Sequence, residues 1–129
     1  MGEINPHAIV GVWYVKATNA PFTHHLLTFH ADGTMLQANP DAGDPITSDS
    51  VGMGAWKADG KTVQGKFVEV TADRLTHAFV SKGEIRFIVT VDGDRFTGTA
   101  EAIFYDQNEV LQRAPMTSAL AGERITPTG

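Results

Sequence analysis

Apolar and polar residues alternate along several stretches of the chain, with the period of two that β-strands produce. In 85–91 every odd position is apolar, and in 95–105 the even positions are apolar or small. Residues 75–79 show the same alternation, with the bulky side chains at odd positions. Because successive side chains of a strand point to opposite faces, each stretch is predicted to bury one face. No segment of useful length shows the period of a helix.

Short turn signals separate the alternating stretches. Asp-Gly pairs stand at 32–33, 59–60 and 92–93, and further turn-forming residues stand at 81–84 and 106–109. Asp-Gly is a strong hairpin signal because the tight turns that fit strand twist need a positive φ, which glycine adopts without strain. Strands are therefore predicted near 10–18, 25–30, 33–38, 51–58, 61–70, 73–81, 84–91, 94–105 and 109–125.

This order of elements is typical of an all-β protein built from consecutive hairpins. We expect residues 1–129 to form a single domain, since that length suits one core. A closed antiparallel up-and-down β-barrel of about 8–10 strands is favoured over a two-layer sandwich, because closure removes both sheet edges. The one long connection, 39–50, is rich in Pro, Gly, Asp and Ser. It is predicted to form a lid or rim at one mouth of the barrel.

The two ends of the chain carry a further pattern. A Gly-x-Trp motif at 11–13 begins the first strand, and Arg124 ends the last one. Together with the segments 27–34 and 52–56, these residues resemble the calycin family, in particular bacterial lipocalin-like proteins. The resemblance implies a barrel in which Trp13 packs beneath Arg124, a cation–π contact worth about 1–2 kcal/mol when partly desolvated. It also implies a cavity for a small hydrophobic molecule.

Composition and charge narrow the set of partners. The formal net charge of −5 and the scattered basic residues argue against a nucleic-acid partner, and the lack of cysteine excludes thiolate chemistry. No apolar run is long enough for a membrane span, and the first residues lack the features of a secretion signal. We therefore expect a cytoplasmic protein with no membrane partner. Neither a cofactor nor a metal is expected, because no phosphate-binding glycine motif or metal-ligand spacing occurs.

One histidine stands out by its surroundings. His77 shares its predicted strand face with Leu75 and Phe79, which would place an ionisable ring among apolar side chains inside the barrel. Glu69 and Glu101 lie on strands whose phase could also turn them inward. Burial would move the pKa values of these groups toward neutrality, so all three are candidate acid–base residues. The alternative is that His77 points to solvent and the opposite face of its strand lies inside.

Other polar residues carry weaker signals. Tyr105 is a candidate hydrogen-bond donor to a carbonyl or enolate oxygen, and it completes the set of candidate catalytic residues. His24 and His25 are adjacent and point to opposite faces, while His30 lies about 20 Å farther along the face of His24. We interpret these three as solvated strand ends rather than metal ligands.

The bulky apolar residues supply a candidate cavity lining, since a barrel of this size has room for one small ligand. The candidates are Met35, Met53, Trp56, Phe67, Leu75, Phe79, Phe87, Val89, Phe96 and Phe104. We predict that the barrel binds a small hydrophobic metabolite. The alternative is a cofactor-independent enzyme with isomerase, cyclase or hydratase chemistry in the same cavity. A haem-binding barrel with an axial histidine, and packing of two copies as a homodimer, also remain open.

Overall fold

A computed structural model of the protein describes residues 6–40 and 44–129. The strands are β1 (Gly11–Ala17), β2 (His24–Phe29), β3 (Thr34–Ala38), β4 (Thr47–Asp49), β5 (Gly52–Asp59), β6 (Thr62–Asp73), β7 (Phe79–Asp92), β8 (Arg95–Tyr105) and β9 (Met116–Arg124). Within this described part of the chain, no helix has both the length and the apolar character that crossing a membrane requires.

Eight of the strands form a closed antiparallel up-and-down barrel in the order β1-β2-β3-β5-β6-β7-β8-β9. Closure comes from the pairing of the first and last strands, which runs from Trp13 opposite Arg124 to Ala17 opposite Leu120. The short strand β4 pairs with the last three residues of β6, beside β5. The predicted all-β class and closed barrel are therefore confirmed.

Most predicted hairpins are present, but the turn predicted at 81–84 is wrong. Those residues lie inside β7, and the chain turns between β6 and β7 instead. Asp73 Oδ1 accepts hydrogen bonds from the backbone N–H groups of Leu75 and Thr76 at 2.9 and 2.8 Å, and His77 has a φ of 64°. An Asx turn followed by a left-handed residue thus replaces the expected glycine turn.

Two other segments differ from the predicted pattern. The last strand begins at Met116 rather than near 109, and Asp106 holds the preceding loop by accepting hydrogen bonds from the N–H groups of Asn108 and Val110. In the connection 39–50, residues 47–49 form β4, and residues 41–43 lie outside the described residues. The predicted lid therefore includes a piece of the sheet.

The Trp13–Arg124 contact lies at one end of the barrel, as the resemblance predicted. The Trp13 side chain is fully buried, and the Arg124 guanidinium carbon lies 4.4 Å from its ring centroid. Trp13 Nε1 donates a hydrogen bond to the Ile9 carbonyl oxygen at 2.8 Å. Arg124 donates from Nη1 to the Val10 carbonyl oxygen at 2.9 Å and from Nε to Asp94 at 2.8 Å. These bonds tie the chain before β1 to the end of β9 and plug this end.

The hydrophobic core fills the half of the barrel next to this plug. Its buried members are Ile9, Trp13, Val15, Leu27, Phe29, Met35, Val63, Phe67, Phe87, Val89, Val91 and Phe96. Glycines in the wall make room for two of the large rings. A Cβ atom at Gly122 would lie 2.3 Å from the Phe96 ring, and one at Gly65 would lie 2.5 Å from the Phe87 ring.

Removing the guanidinium from the plug should destabilise the barrel. Arg124→Ala is expected to lower the free energy of unfolding by about 2–4 kcal/mol, because it removes a cation–π contact and several charge-assisted hydrogen bonds. Urea denaturation measures this quantity. Arg95→Ala, at an exposed arginine at the start of β8, is the control and should change it by less than about 0.5 kcal/mol. Equal effects of the two substitutions would contradict the role given to the plug.

Candidate ligand-binding site

A cavity of about 340 Å³ occupies the half of the barrel away from the plug, and the core residues Val15, Leu27, Phe67 and Phe87 form the boundary between the two halves. It lies among the ends of the strands that lead into the β1–β2, β6–β7 and β8–β9 connections. Its apolar wall consists of Val15, Ala17, Ala20, Pro21, Phe22, Leu27, Phe67, Ile85, Phe87, Ala100, Ala102, Phe104 and Leu120, with Gly83. Its polar lining consists of His25, Gln37, Asn39, Asp49, Glu69, Thr71, Arg113 and Ser118.

Small inward-facing residues create this space. Ala100 and Ala102 of β8, Ser118 of β9 and Gly83 of β7 all line the cavity. Large side chains at such positions fill an eight-stranded barrel completely, as they do in the plugged half. The sequence therefore specifies the cavity by small residues at inward positions near one end of the three neighbouring strands β7, β8 and β9.

Glu69 places a carboxyl group in the cavity wall. It follows Phe67 and precedes Thr71 on the inward face of β6, and it is half-buried. Burial raises the pKa of Glu69 to about 7, and the negative charge of Asp49 adds to the rise. No residue in the described part of the chain gives Glu69 a hydrogen bond or an ion pair. A carboxyl group with this pKa can take up or release a proton near neutral pH.

A second polar group joins β2 and β3 inside the barrel. His25 Nε2–H donates to the Phe22 carbonyl oxygen at 2.8 Å, so its Nδ1 accepts the hydrogen bond that Gln37 Nε2 donates at 2.8 Å. Gln37 Nε2 also donates to Asn39 Oδ1 at 3.0 Å. Burial lowers the pKa of His25, although the hydrogen bond to Phe22 opposes this effect. The network therefore holds a neutral imidazole with a defined tautomer.

Gln37 itself is almost completely buried, with 1% of its surface exposed. Its Oε1 atom has no hydrogen-bond partner among the described residues. A buried carbonyl oxygen without a donor costs about 1–3 kcal/mol, so most such atoms in folded proteins are satisfied. With the Glu69 carboxyl group, this atom is a second unsatisfied acceptor of the inner wall among the described residues.

The outer part of the cavity carries charged groups. Asp49 Oδ1 accepts a hydrogen bond from the Thr71 hydroxyl at 2.5 Å, which links β4 to β6. On the other side, the Arg113 guanidinium carbon lies 4.6 Å from the centroid of the Phe104 ring. Both charges are exposed, whereas Glu69 lies deeper.

Four of the residues predicted from the sequence line this cavity. They are Glu69, Phe67, Phe87 and Phe104. Met35, Val89 and Phe96 are buried in the core of the plugged half instead, and they do not line the cavity. Half-buried Trp56 packs against the same core, where its Nε1 donates to the carbonyl oxygens of His30 and Thr34.

The predicted inward position of His77 is wrong. His77 lies in the exposed β6–β7 turn, and Leu75 and Phe79, its expected neighbours on an apolar face, are 89% and 41% exposed. The apparent alternation of 75–79 was not that of a strand, because Asp73 ends β6 and starts the turn. This placement does not support a catalytic role for His77 in the cavity.

The expected inward positions of Glu101, Tyr105 and Met53 are also wrong. Glu101 is exposed because its neighbours Ala100 and Ala102 face the cavity and the strand alternates. Tyr105 has the same outward phase, and its ring lies 4.8 Å from Lys82 Nζ. Met53, on β5, is 62% exposed.

The interpretation of His25 as a solvated strand end is wrong, and a sequence signal for the inward positions of His25 and Gln37 existed. His25 has the same parity as the buried Leu27 and Phe29 of its strand, and Gln37 has the same parity as Met35. A polar residue in phase with buried apolar neighbours points into the barrel. Because His24, His25 and His30 lie close together in the sequence, they were interpreted as one group, and the inward phase of His25 was missed.

The fold and the cavity define the class of protein as a closed antiparallel β-barrel with a mainly apolar cavity near one end. Comparison with protein-family models, curated proteins and solved structures gave no match. Among residues 6–40 and 44–129, no group of three His, Asp or Glu side chains could hold a metal ion. The function must therefore be argued from the cavity itself.

The raised pKa of Glu69 should appear as a pH dependence of stability. The folded state favours the protonated carboxyl, so its stabilising contribution is present below the usual pKa of 4.5 and is lost as pH rises through about 7. Glu69→Gln is neutral at every pH and avoids this loss. Its advantage over the wild type in free energy of unfolding should grow from pH 5 to pH 8, as measured by urea denaturation. Glu101→Gln controls for the loss of one negative charge, and a pH-independent advantage would refute the assignment.

Proposed function

We propose that the barrel binds a small hydrophobic molecule in the cavity near its open end. The cavity itself carries the proposal, because its volume of about 340 Å³ lies within the range of about 300–1,000 Å³ that ligand pockets occupy. Apolar side chains form most of its wall, and a few polar groups stand at fixed positions among them. This combination suits a ligand with an apolar body and one polar group.

A calycin-like assignment of the barrel agrees with this function. The stack of Arg124 on Trp13 closes one end, so a ligand would enter from the other. The closed up-and-down order of strands gives every strand one face toward an enclosed interior. The support comes from the barrel and its plug rather than from a matched relative.

Filling part of the cavity should weaken binding. N-phenyl-1-naphthylamine, a neutral apolar dye, is expected to bind the wild type with saturable fluorescence. Ala102→Leu adds bulk to the cavity wall, and overpacking of about 1–3 kcal/mol corresponds to a loss of affinity of about 5- to 150-fold. Ala121→Leu makes the same change at an exposed position of β9 and should leave the affinity unchanged. Failure of the wild type to bind the dye, or equal losses in both variants, would overturn the proposal.

A cofactor-independent enzyme is the second candidate, and the pKa of Glu69 favours it. A carboxylate in a cavity wall with a pKa of about 7 can remove a proton from a carbon next to a carbonyl group and return it. The Ser118 hydroxyl and the Arg113 guanidinium line the same cavity and could donate hydrogen bonds to the enolate oxygen. Such chemistry is the first step of many isomerisations.

Proton exchange on a simple ketone tests this second candidate. In D₂O, Glu69 would remove a proton next to the carbonyl of β-tetralone, exchange it with solvent and return a deuteron. The wild type should exceed Glu69→Gln by about 10²–10⁴-fold in the rate of deuterium incorporation, which is followed by NMR. His77→Ala, at the exposed turn, is the control and should match the wild type. Equal rates for wild type and Glu69→Gln would exclude this role of Glu69.

A further inference from the structure

Two acceptors of the cavity wall, the Glu69 carboxyl group and Gln37 Oε1, lack donors among the described residues, and this imbalance indicates the chemistry of the ligand. Glu69 presents a carboxyl group to which no described residue donates a hydrogen bond. Its register partner on β7 is Gly83, which has no side chain to offer. On the neighbouring strand β4 stands Asp49, another carboxylate. Nothing in the described wall therefore neutralises Glu69.

The second acceptor is independent of these carboxylates. Gln37 is buried on β3 and lines the cavity, and its Oε1 is without a donor among the described residues. Both this atom and the Phe67 ring lie within 3 Å of the point where a Cβ atom of Gly52 would stand. Phe67 is also the inward neighbour of Glu69 on β6. The two unsatisfied acceptors thus occupy adjoining parts of the inner wall.

The charges around the cavity are arranged for a cation. Arg113 is the one Lys or Arg among the described lining residues, and it is exposed and lies over the Phe104 ring. His25 is held neutral by burial, and its Nδ1 accepts the hydrogen bond that Gln37 donates. Hydrogen bonds to a charged group are worth about 1.5–3 kcal/mol, and an ion pair is strongest where water is partly excluded.

We propose that the cavity binds a hydrophobic amine as its ammonium ion, with the apolar body in the barrel and the N–H groups donating to Glu69 and Gln37. This inference rests on the proposed function and names its ligand class. An ammonium has three donors and no acceptor, which complements a wall that offers acceptors. Asp49 adds a second negative charge at the outer side of the head group. A carboxylate ligand would instead place a third negative charge beside Glu69 and Asp49.

Three nine-carbon ligands that differ only in the head group test the proposal. Nonylamine, 1-nonanol and nonanoate are titrated into the wild type at pH 8 by isothermal calorimetry. The amine should bind about 10- to 100-fold more tightly than the alcohol, and nonanoate should bind more weakly than both. Glu69→Gln should bring the ratio of amine to alcohol affinity to about one. Glu101→Gln removes an exposed carboxylate of β8 and should keep the wild-type ratio.

Proton exchange with buffer gives a readout that needs no variant. An alkylamine, with a pKa of about 10.4, stays protonated between pH 6 and 8. Glu69, with a pKa of about 7, must lose its proton to pair with it, so the amine affinity should rise about tenfold over this range. Calorimetry at pH 7 in phosphate and in Tris should show release of about half a proton on binding the amine and uptake on binding nonanoate. Among the described residues, Asp49, His25 and Arg113 are the other titratable groups that line the cavity.

The outcomes separate the two proposals. If none of the three ligands binds, the proposed binding function itself fails. If the alcohol or nonanoate binds as tightly as the amine, or if amine binding releases no proton, the amine proposal is overturned while the binding function stands. If Glu69→Gln does not fold by circular dichroism, the wild-type affinity ratio and proton release still decide the result.

Discussion

Pairing of the first strand with the last is the constraint on which the interior depends. Five residue pairs between β1 and β9 turn a meander with two open edges into a barrel with none. Once the sheet is closed, every strand has one face inside and one face outside, so the parity of a residue decides whether it can meet a ligand. The Arg124 side chain strengthens this seam, because it spans from β9 to the Trp13 ring and to the backbone before β1.

Side-chain volume then divides the closed barrel into two halves. At the plugged end, large rings fill the interior, and Gly122 gives Phe96 the room that a Cβ atom would take. At the other end, Ala100 and Ala102 occupy inward positions of the same strand β8 that carries Phe96. One strand thus contributes both to a packed core and to a cavity wall, because its inward residues change from large to small along its length.

The sequence predicted the fold better than the site, for a physical reason. Alternation and Asp-Gly turns are local, so strands and hairpins could be identified one at a time. The turn at 74–78 depends on a side-chain oxygen of Asp73, whereas Gly83, which resembled a turn residue, sits buried in β7 beside Phe104. Because the turn was predicted at 81–84 instead of 74–78, His77 was assigned to the apolar face of a strand, whereas it lies in the turn. The inward position of Glu69 was predicted correctly because its phase was set by Phe67 on the same continuous strand.

An unpaired carboxyl group in a cavity wall is not what folding alone favours. Val63 and Phe67, on the inward face of the same strand, show that apolar side chains fit there, and such a residue at 69 would avoid the desolvation of a charge. Gln37 Oε1, to which no residue in the described part of the chain donates, is a second departure from a fully satisfied interior. These two departures lie in adjoining parts of one wall, whereas the other half of the barrel is packed with apolar rings. Departures of this kind from the rules of stability are typical of functional sites. A ligand that donates hydrogen bonds to both groups, as proposed above, would compensate for these two departures.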